Sequence, residues 1–276
     1  MKTLRTILNE NLVWAFNINC LIEVKAVAKA ASRENKPVVM LISSNAIKYA
    51  GLDYLDEITK VAKRATKAPL FVQLDHGKDE NLIIECAKRG FDAIMIDGSS
   101  MDCDQNIKFV NKIVRRVKKI NQDILIEAAL GVIGDENDSS QNTDLEQIEN
   151  FIRETNIDLL AVSIGNKHGF NKEKPKLDRD LLKNVNKKSS VPLVLHGADW
   201  ISQNDIQFAL GNGVRKINIG PELRIRVVEL VKEISNSPKY DITDYRKLVS
   251  KIIDDLALRI CEKLRRNLSP DEILRR

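Results

Sequence analysis

Eight short apolar runs, separated by longer amphipathic stretches, are the feature of this sequence that most limits its fold. The runs are rich in Val, Ile and Leu, as buried strands are. They span residues 13–18, 37–43, 69–75, 92–97, 123–129, 159–165, 191–196 and 214–220. Because continuous apolar strands joined by helices form parallel sheets that are covered on both faces, the pattern predicts an α/β protein.

The number of strand–helix units separates two parallel architectures. A doubly wound open sheet is the alternative, but it normally uses fewer strands. Eight units in a chain of 276 residues fit a single (β/α)8 TIM barrel, which typically takes about 250 residues. No linker or change of composition marks a second domain, so we predict one barrel domain over residues 1–276. Residues 241–266 are predicted to form an additional C-terminal helix.

Composition and charge give no specific support for a nucleic-acid-binding protein. The net charge of +5 comes from 44 basic and 39 acidic residues, and most lysines fall on predicted solvent-facing helix surfaces without a DNA or RNA motif. The four cysteines are far apart and form no C-x-x-C pair, which is typical of reduced thiols. No signal peptide or membrane-spanning run is present. We therefore expect a cytoplasmic protein with neither a membrane nor a nucleic acid as partner.

The three histidines of the chain all fall at the ends of predicted strands. His76 ends the third strand, His168 lies just past the sixth, and His196 ends the seventh. In a barrel, the C-terminal ends of all strands open onto one mouth, so these side chains can converge. Each histidine alone could simply cap a loop carbonyl. Three imidazoles with an open fourth position describe a catalytic zinc site.

Acidic residues collect at the same predicted edge. Asp75 and Asp97 end the third and fourth strands, and Glu127 lies within the fifth. Charged side chains are costly to bury unless they bind something or one another. We expect these carboxylates to support the metal ligands or to act as acid–base groups. A Schiff-base mechanism would instead need a lysine at a strand end; Lys216 lies in the eighth strand, but nothing else distinguishes it.

Eight short stretches match a known enzyme family in order and spacing. They are AFNIN (15–19), SSNAIKYAG (43–51), LDHG (74–77), GFDAIMIDGSS (90–100), IEAALG (126–131), AVSIGNKHG (161–169), PLVLHGA (192–198) and KINIGPELR (216–224). Through them the chain resembles the class II, zinc-dependent ketose-bisphosphate aldolases, and its length is similar to the tagatose-type branch. The resemblance implies a lyase of carbohydrate metabolism that binds Zn2+ and a sugar or sugar phosphate and forms a homodimer or homotetramer.

The resemblance also implies roles for individual positions. The metal-site positions are His76, His168 and His196, which match the zinc ligands, and Asp97 and Glu127, which match acids near the metal. Asp75 matches the acid that protonates the oxygen at the cleaved carbon, a general acid–base step. The enediolate left by cleavage would be stabilised by zinc acting as a Lewis acid. Positions that match the substrate pocket and its phosphate groups are Asn17, Ser43, Gly169, Lys172, Gly197, Asn218 and Arg224.

The acids that follow the fifth strand depart from the family pattern. The family usually has E-x-E-L-G, whereas this chain has Ala129 in place of the second acid. In the next loop, Asn137 stands where the family has the acid that handles the carbon-bound proton, and an amide cannot accept that proton. Asp135, Glu136 and Asp138 are adjacent, and Glu136 is our candidate for the substitute catalytic acid.

The phosphate-binding stretches depart as well. HGASG becomes HGADW, which introduces Asp199 and Trp200, and N-x-D-T becomes NIGP, where Pro221 has no backbone N–H. A carboxylate repels a phosphate, and Lys172 alone would attract one. We therefore expect Asp199 to bind a substrate that lacks phosphate at its dihydroxyacetone end. A standard bisphosphate aldolase with a rearranged pocket and a catalytically silent zinc-binding homologue with a regulatory role are the alternatives.

Overall fold

Eight parallel strands close into a barrel. The structure, a computed structural model, describes residues 3–134, 140–169, 174–236 and 244–265. The strands are β1 (Val13–Asn17), β2 (Val38–Ser43), β3 (Leu70–Gly77), β4 (Ala93–Ile96), β5 (Leu125–Leu130), β6 (Leu159–Val162), β7 (Leu193–Leu195) and β8 (Val214–Ile219). Each strand pairs with the next, and β8 pairs with β1. This closure confirms the predicted (β/α)8 barrel over the doubly wound sheet.

Helices connect the strands and pack around them. They are α1 (Leu4–Glu10), α2 (Leu21–Glu34), α3 (Ser44–Ala50), α4 (Leu52–Ala65), α5 (Glu80–Lys88), α6 (Cys103–Ile120), α7 (Ile148–Thr155), α8 (Arg179–Lys188), α9 (Gln203–Leu210), α10 (Pro221–Ser235) and α11 (Tyr245–Arg265). Helix α11 is the predicted C-terminal helix, and it packs against α2. In the described part of the chain, no helix combines the length and apolar character needed to cross a membrane.

Side chains that alternate along each strand divide the apolar residues between two cores. One core lies between the strands and the helices and contains Trp14 and Phe16 of β1. The other contains residues on the opposite strand face, such as Ala15, together with Leu4 and Ile7 of α1. Helix α1 therefore closes the end of the barrel at which the strands begin. The opposite end, where the strands finish, is left for the polar residues of the candidate site.

Candidate metal centre and active site

The three histidines converge at the C-terminal mouth of the barrel. The ring centroids of His76 and His168 lie 5.0 Å apart, those of His76 and His196 5.0 Å, and those of His168 and His196 5.8 Å. One ligand nitrogen from each ring lies within 4.8 Å of the others. Small side-chain movements would therefore bring all three to the Zn–N distance of about 2.0–2.1 Å. The predicted convergence of the histidines is found in the structure.

The end of β3 turns sharply to present His76 to the mouth. The register between β3 and β4 shifts between Leu74 and Gly77, and His76 has a φ of 51°, in the left-handed region. A non-glycine residue rarely adopts this conformation, and such strain is concentrated at functional sites. The next residue must be glycine for packing reasons, because a Cβ at Gly77 would lie 2.9 Å from the carbonyl oxygen of Met95.

A carboxylate fixes the orientation of the His76 ring. The Nδ1–H of His76 donates to Oδ2 of Asp97 at 2.7 Å, and Asp97 in turn accepts from the backbone and hydroxyl of Ser99 at 3.1 and 2.6 Å. This leaves Nε2 of His76 buried and without a hydrogen-bond partner among the residues that the structure describes. Metal-binding histidines commonly donate their outer N–H to a carboxylate in this way. The geometry therefore fits a metal ion at the inner nitrogen.

We expect Asp97→Asn to weaken zinc binding by about 10- to 100-fold, the usual cost of losing a partner of a metal-binding histidine. The amide keeps the volume of the side chain, but it has no negative charge to stabilise the metal-bound imidazole of His76. Titration of metal-free protein with zinc measures the change, with Asp104→Asn on the exposed face of α6 as the control. Equal affinity of the two variants would contradict the role of Asp97.

A second, fully buried carboxylate supports His196. The Nε2–H of His196 donates to Oε1 of Glu127 at 2.8 Å. The other oxygen, Oε2, lies 2.8 Å from Nζ of Lys216 and accepts from Gln73 at 2.9 Å. Burial alone would raise the pKa of Glu127, but Lys216 and His196 hold it below the usual range. Glu127 is therefore an ionised anchor for His196. Lys216 is engaged as its counter-ion and also donates to Asn218 at 2.9 Å.

We expect Lys216→Met to destabilise the fold by about 3–5 kcal/mol, because it leaves the Glu127 carboxylate as an uncompensated charge inside the barrel. Urea unfolding of the variant measures the loss, and Lys187→Met, at an exposed lysine of α8, is the matched control. The double variant Lys216→Met/Glu127→Gln is expected to recover part of the stability. If Lys216→Met unfolds at the same urea concentration as the control, the buried pair does not contribute as described.

The charges of the centre set the protonation of its histidines. Burial opposes the charged form of His76, but Asp75 and Asp97 outweigh this effect and raise its pKa to about 9. Burial and the neighbouring imidazoles lower the pKa of His168 to about 3, so this ring is neutral. Metal ligands must be deprotonated. Metal binding at neutral pH must therefore displace the proton of His76, whereas His168 is already in the form that a metal requires.

Asp75 lies beside His76 with one oxygen directed at the centre. Its Oδ2 accepts from Nδ2 of Asn17 at 3.0 Å. Its Oδ1 lies 3.9 Å from Nε2 of His76 and is buried without a hydrogen-bond partner within the described ranges. Burial raises the pKa of Asp75, but the charges of His76 and His196 and the bond from Asn17 bring it below the usual value. An ionised carboxylate that keeps one oxygen available is suited to transfer a proton.

The histidines open into a cavity of about 750 Å³. Most positions predicted to bind metal or substrate line it: Asn17, Ser43, Asp75, His76, Asp97, His168, Gly169, His196, Gly197, Asp199, Asn218 and Arg224. Glu127 lies behind His196 rather than on the cavity wall. Among the described residues, the group whose side chains could share a metal consists of the three histidines, with Asp97 and Glu127 bonded to their outer nitrogens. Glu136 and Lys172 lie outside the described residues.

Two polar residues that donate hydrogen bonds to the carboxylates of the centre were not predicted from sequence. Gln73 is a polar residue in the middle of a buried apolar strand and donates to Glu127. Ser99 follows β4 and donates to Asp97. The signal for Gln73 was available, since a polar side chain inside a parallel strand needs a buried partner. Ser99 lies in an ordinary loop sequence, and only the structure reveals its partner.

A closed parallel barrel with a histidine cluster at its C-terminal mouth is typical of metal-dependent barrel enzymes. The sequence model described as fructose-bisphosphate aldolase class II matches residues 6–271, and the chain belongs to this family. The predicted family is thereby confirmed. Class II aldolases are metal-dependent lyases, and the substrates of the family are sugar phosphates, which are small molecules.

Known proteins similar to this chain are aldolases. Fructose-bisphosphate aldolases of two Staphylococcus epidermidis strains are 30% identical to it over 249 residues, which cover 87% of this chain and 85% of theirs. The crystal structure of the YdjI aldolase from Escherichia coli K12 superimposes with a TM-score of 0.84 at 28% identity, and the match covers 95% of each chain. The chain thus shares its fold with the YdjI aldolase and is similar in sequence to both fructose-bisphosphate aldolases.

Proposed function

We propose that this protein is a zinc-dependent aldolase that reversibly cleaves a ketose or ketose phosphate through an enediolate. We further propose that its substrate lacks the usual phosphate at the dihydroxyacetone end. The observation that carries the proposal is the convergence of His76, His168 and His196 beside the buried Asp75 in one open cavity. Bound zinc would act as a Lewis acid that stabilises the negative charge developing on the substrate oxygens.

The donor set supports zinc as the metal. Three imidazoles are a known catalytic zinc set, and the fourth position remains for water or substrate. Neutral imidazoles do not offset the charge of the cation, so its polarising power is retained. The two carboxylates of the centre, Asp97 and Glu127, hold the imidazoles in place from their outer nitrogens. Such support orients the ligands and raises their basicity.

Asp75 is proposed to transfer the proton of the oxygen at the cleaved carbon. In the cleavage direction, its Oδ1 takes the proton from the hydroxyl that becomes the aldehyde, and in the condensation direction it returns that proton. Asn17 holds the other oxygen at 3.0 Å and so fixes the plane of the carboxylate. The carbon-bound proton requires a second base. Ala129 lines the cavity but cannot serve, and Glu136 remains our candidate.

Two residues of the cavity wall support a substrate without phosphate at the dihydroxyacetone end. Asp199 and Pro221 line the wall on the side of β7 and β8, where a carboxylate and a residue without an N–H disfavour an anion. Arg224, in the first turn of α10, is exposed and lines the same cavity, so the site also offers a cation that could pair with an anionic group of the substrate. By family likeness we also propose that the protein is a cytoplasmic homodimer or homotetramer.

Exchange of carbon-bound protons into deuterated water, followed by NMR, tests the function. The zinc-loaded protein is expected to exchange the protons of dihydroxyacetone faster than those of its phosphate. Proton exchange from dihydroxyacetone phosphate but not from dihydroxyacetone, together with robust cleavage of fructose or tagatose bisphosphate, would identify a standard aldolase. No exchange with either ketone would identify a catalytically silent homologue.

A further inference from the structure

A carboxylate of the chain itself occupies the N-terminus of helix α10. Oδ1 of Asp199 accepts from the backbone N–H groups of Gly220 at 3.0 Å and Glu222 at 2.9 Å, and Oδ2 lies 3.2 Å from the nitrogen of Gly220. The first N–H groups of a helix have no partner within the helix, and together with the helix dipole they favour an anion. Pro221 contributes no N–H. The N–H groups of Gly220 and Glu222 are therefore both directed at Asp199.

The sequence between β7 and α10 places this carboxylate close to the metal centre. Asp199 is three residues beyond His196, and a short 3-10 turn spans Ala198–Trp200. The chain between His196 and Asp199 requires a glycine at position 197. Gly197 has a φ of 59°, and a Cβ there would lie 2.2 Å from the carbonyl oxygen of Lys167. Asp199, Gly197 and Gly220 all line the cavity that holds the histidines. The occupied helix terminus is thus part of the substrate cavity.

We propose that Asp199 is a built-in anion that closes this amide pocket and determines the head group of the substrate, excluding a phosphorylated ketone and accepting one that ends in a hydroxyl. An external phosphate would need the same two N–H groups and would meet the charge of Asp199. The part that concerns the substrate rests on the proposed aldolase function. The proposal that Asp199 closes the amide pocket depends only on its hydrogen bonds to Gly220 and Glu222.

The pKa of Asp199 sets the pH range in which it can act as an anion. Burial raises the pKa of Asp199 to about 6, and the nearby Glu222 carboxylate adds to the rise, while the backbone N–H groups and Lys263 oppose it. Glu222 is itself paired with Lys263 at 2.7 Å. Above pH 7 Asp199 is therefore mainly charged. A carboxylate has about four acceptor positions, so the two N–H donors leave room for a hydroxyl of a neutral ketone to donate to Asp199.

Phosphate binding tests the pocket. Asp199→Ser and Asp199→Ala free the two N–H groups, and in both variants we expect inorganic phosphate to raise the midpoint of thermal unfolding by several degrees more than in the wild type, because a ligand that binds only the folded state stabilises it. Asp180→Ala, which removes a carboxylate from the first turn of α8, is expected to respond like the wild type. The zinc-loaded proteins are compared at matched ionic strength, so that binding of phosphate to zinc is common to all. An unchanged response of both Asp199 variants overturns the proposal.

Proton exchange then tests the choice of substrate. In Asp199→Ser, we expect the ratio of exchange rates for dihydroxyacetone phosphate and dihydroxyacetone to rise at least about tenfold over the wild type, one decade per ~1.4 kcal/mol of discrimination. Exchange without any gain in phosphate binding would refute Asp199 as the closing anion and leave the aldolase function intact. A gain in phosphate binding without exchange in any variant would support the closed pocket and refute the aldolase function.

Discussion

Replacement of His168 by Ala is expected to abolish stoichiometric zinc binding and to slow proton exchange from dihydroxyacetone by about a thousandfold or more. The variant leaves two imidazoles at the centre, and a Lewis acid that contributes several kcal/mol of charge stabilisation is lost with the ion. His168 is the most informative of the three positions, since His76 and His196 also hold buried carboxylates in place. Elemental analysis and the exchange rate measure the two effects on one preparation.

Lys167→Ala is the matched control for this variant, because Lys167 is the exposed neighbour of His168 in the same loop. It is expected to retain about one zinc per chain and near wild-type exchange. Retention of zinc and exchange by His168→Ala would show that the histidine cluster does not hold the catalytic ion. Loss of both properties by the control would instead point to the conformation of the loop.

Asp75→Asn is expected to separate the two proton transfers of the reaction. An amide keeps the size of the side chain but cannot carry the proton of the oxygen at the cleaved carbon, so condensation of dihydroxyacetone with an aldehyde should fall by about 10²- to 10⁴-fold. Exchange of the carbon-bound proton uses a different base and is expected to persist. Zinc remains bound, because the three imidazoles are intact.

The ratio of condensation to exchange is the informative quantity for Asp75→Asn, since a general loss of structure lowers both rates together. Asn17→Ala provides the comparison, because it removes the hydrogen bond to Oδ2 and leaves the carboxyl group itself in place. We expect its condensation rate to lie between those of the wild type and Asp75→Asn. Condensation by Asp75→Asn at the wild-type rate would exclude Asp75 as the proton carrier.

The fold was largely predictable because a parallel strand buried on both faces leaves a continuous apolar run. The limits of that signal are visible at β6, which ends at Val162 although the apolar run continues to residue 165. Past the strand, the backbone nitrogens of Ser163 and Ile164 are bonded to the side chains of Thr143 and Asn166. Apolar composition alone cannot distinguish these bonds from those of a sheet. Helix α1 was also not predicted.

The sequence predicted that the three histidines meet at one mouth of the barrel, but not the hydrogen bonds that hold the site together. Barrel topology alone brings His76, His168 and His196 to one mouth. The pairing of Asp97 with His76 depends on the irregular end of β3, which no sequence pattern indicated. For Asp199, the substitution itself predicted repulsion of phosphate. Its hydrogen bonds to the start of α10 depend on how two loops meet in space.

X-ray absorption at the zinc edge tests the central claim most directly, that imidazoles from the ends of β3 and β7 and from the loop after β6 share a single ion. For the zinc-loaded protein we predict a first shell of nitrogen and oxygen at about 2.0–2.1 Å, with the multiple-scattering signature of three imidazoles. His168→Ala, which is expected to lose stoichiometric zinc, should not show this signature. A shell that contains sulfur at about 2.3 Å, or at most one imidazole, would contradict the account.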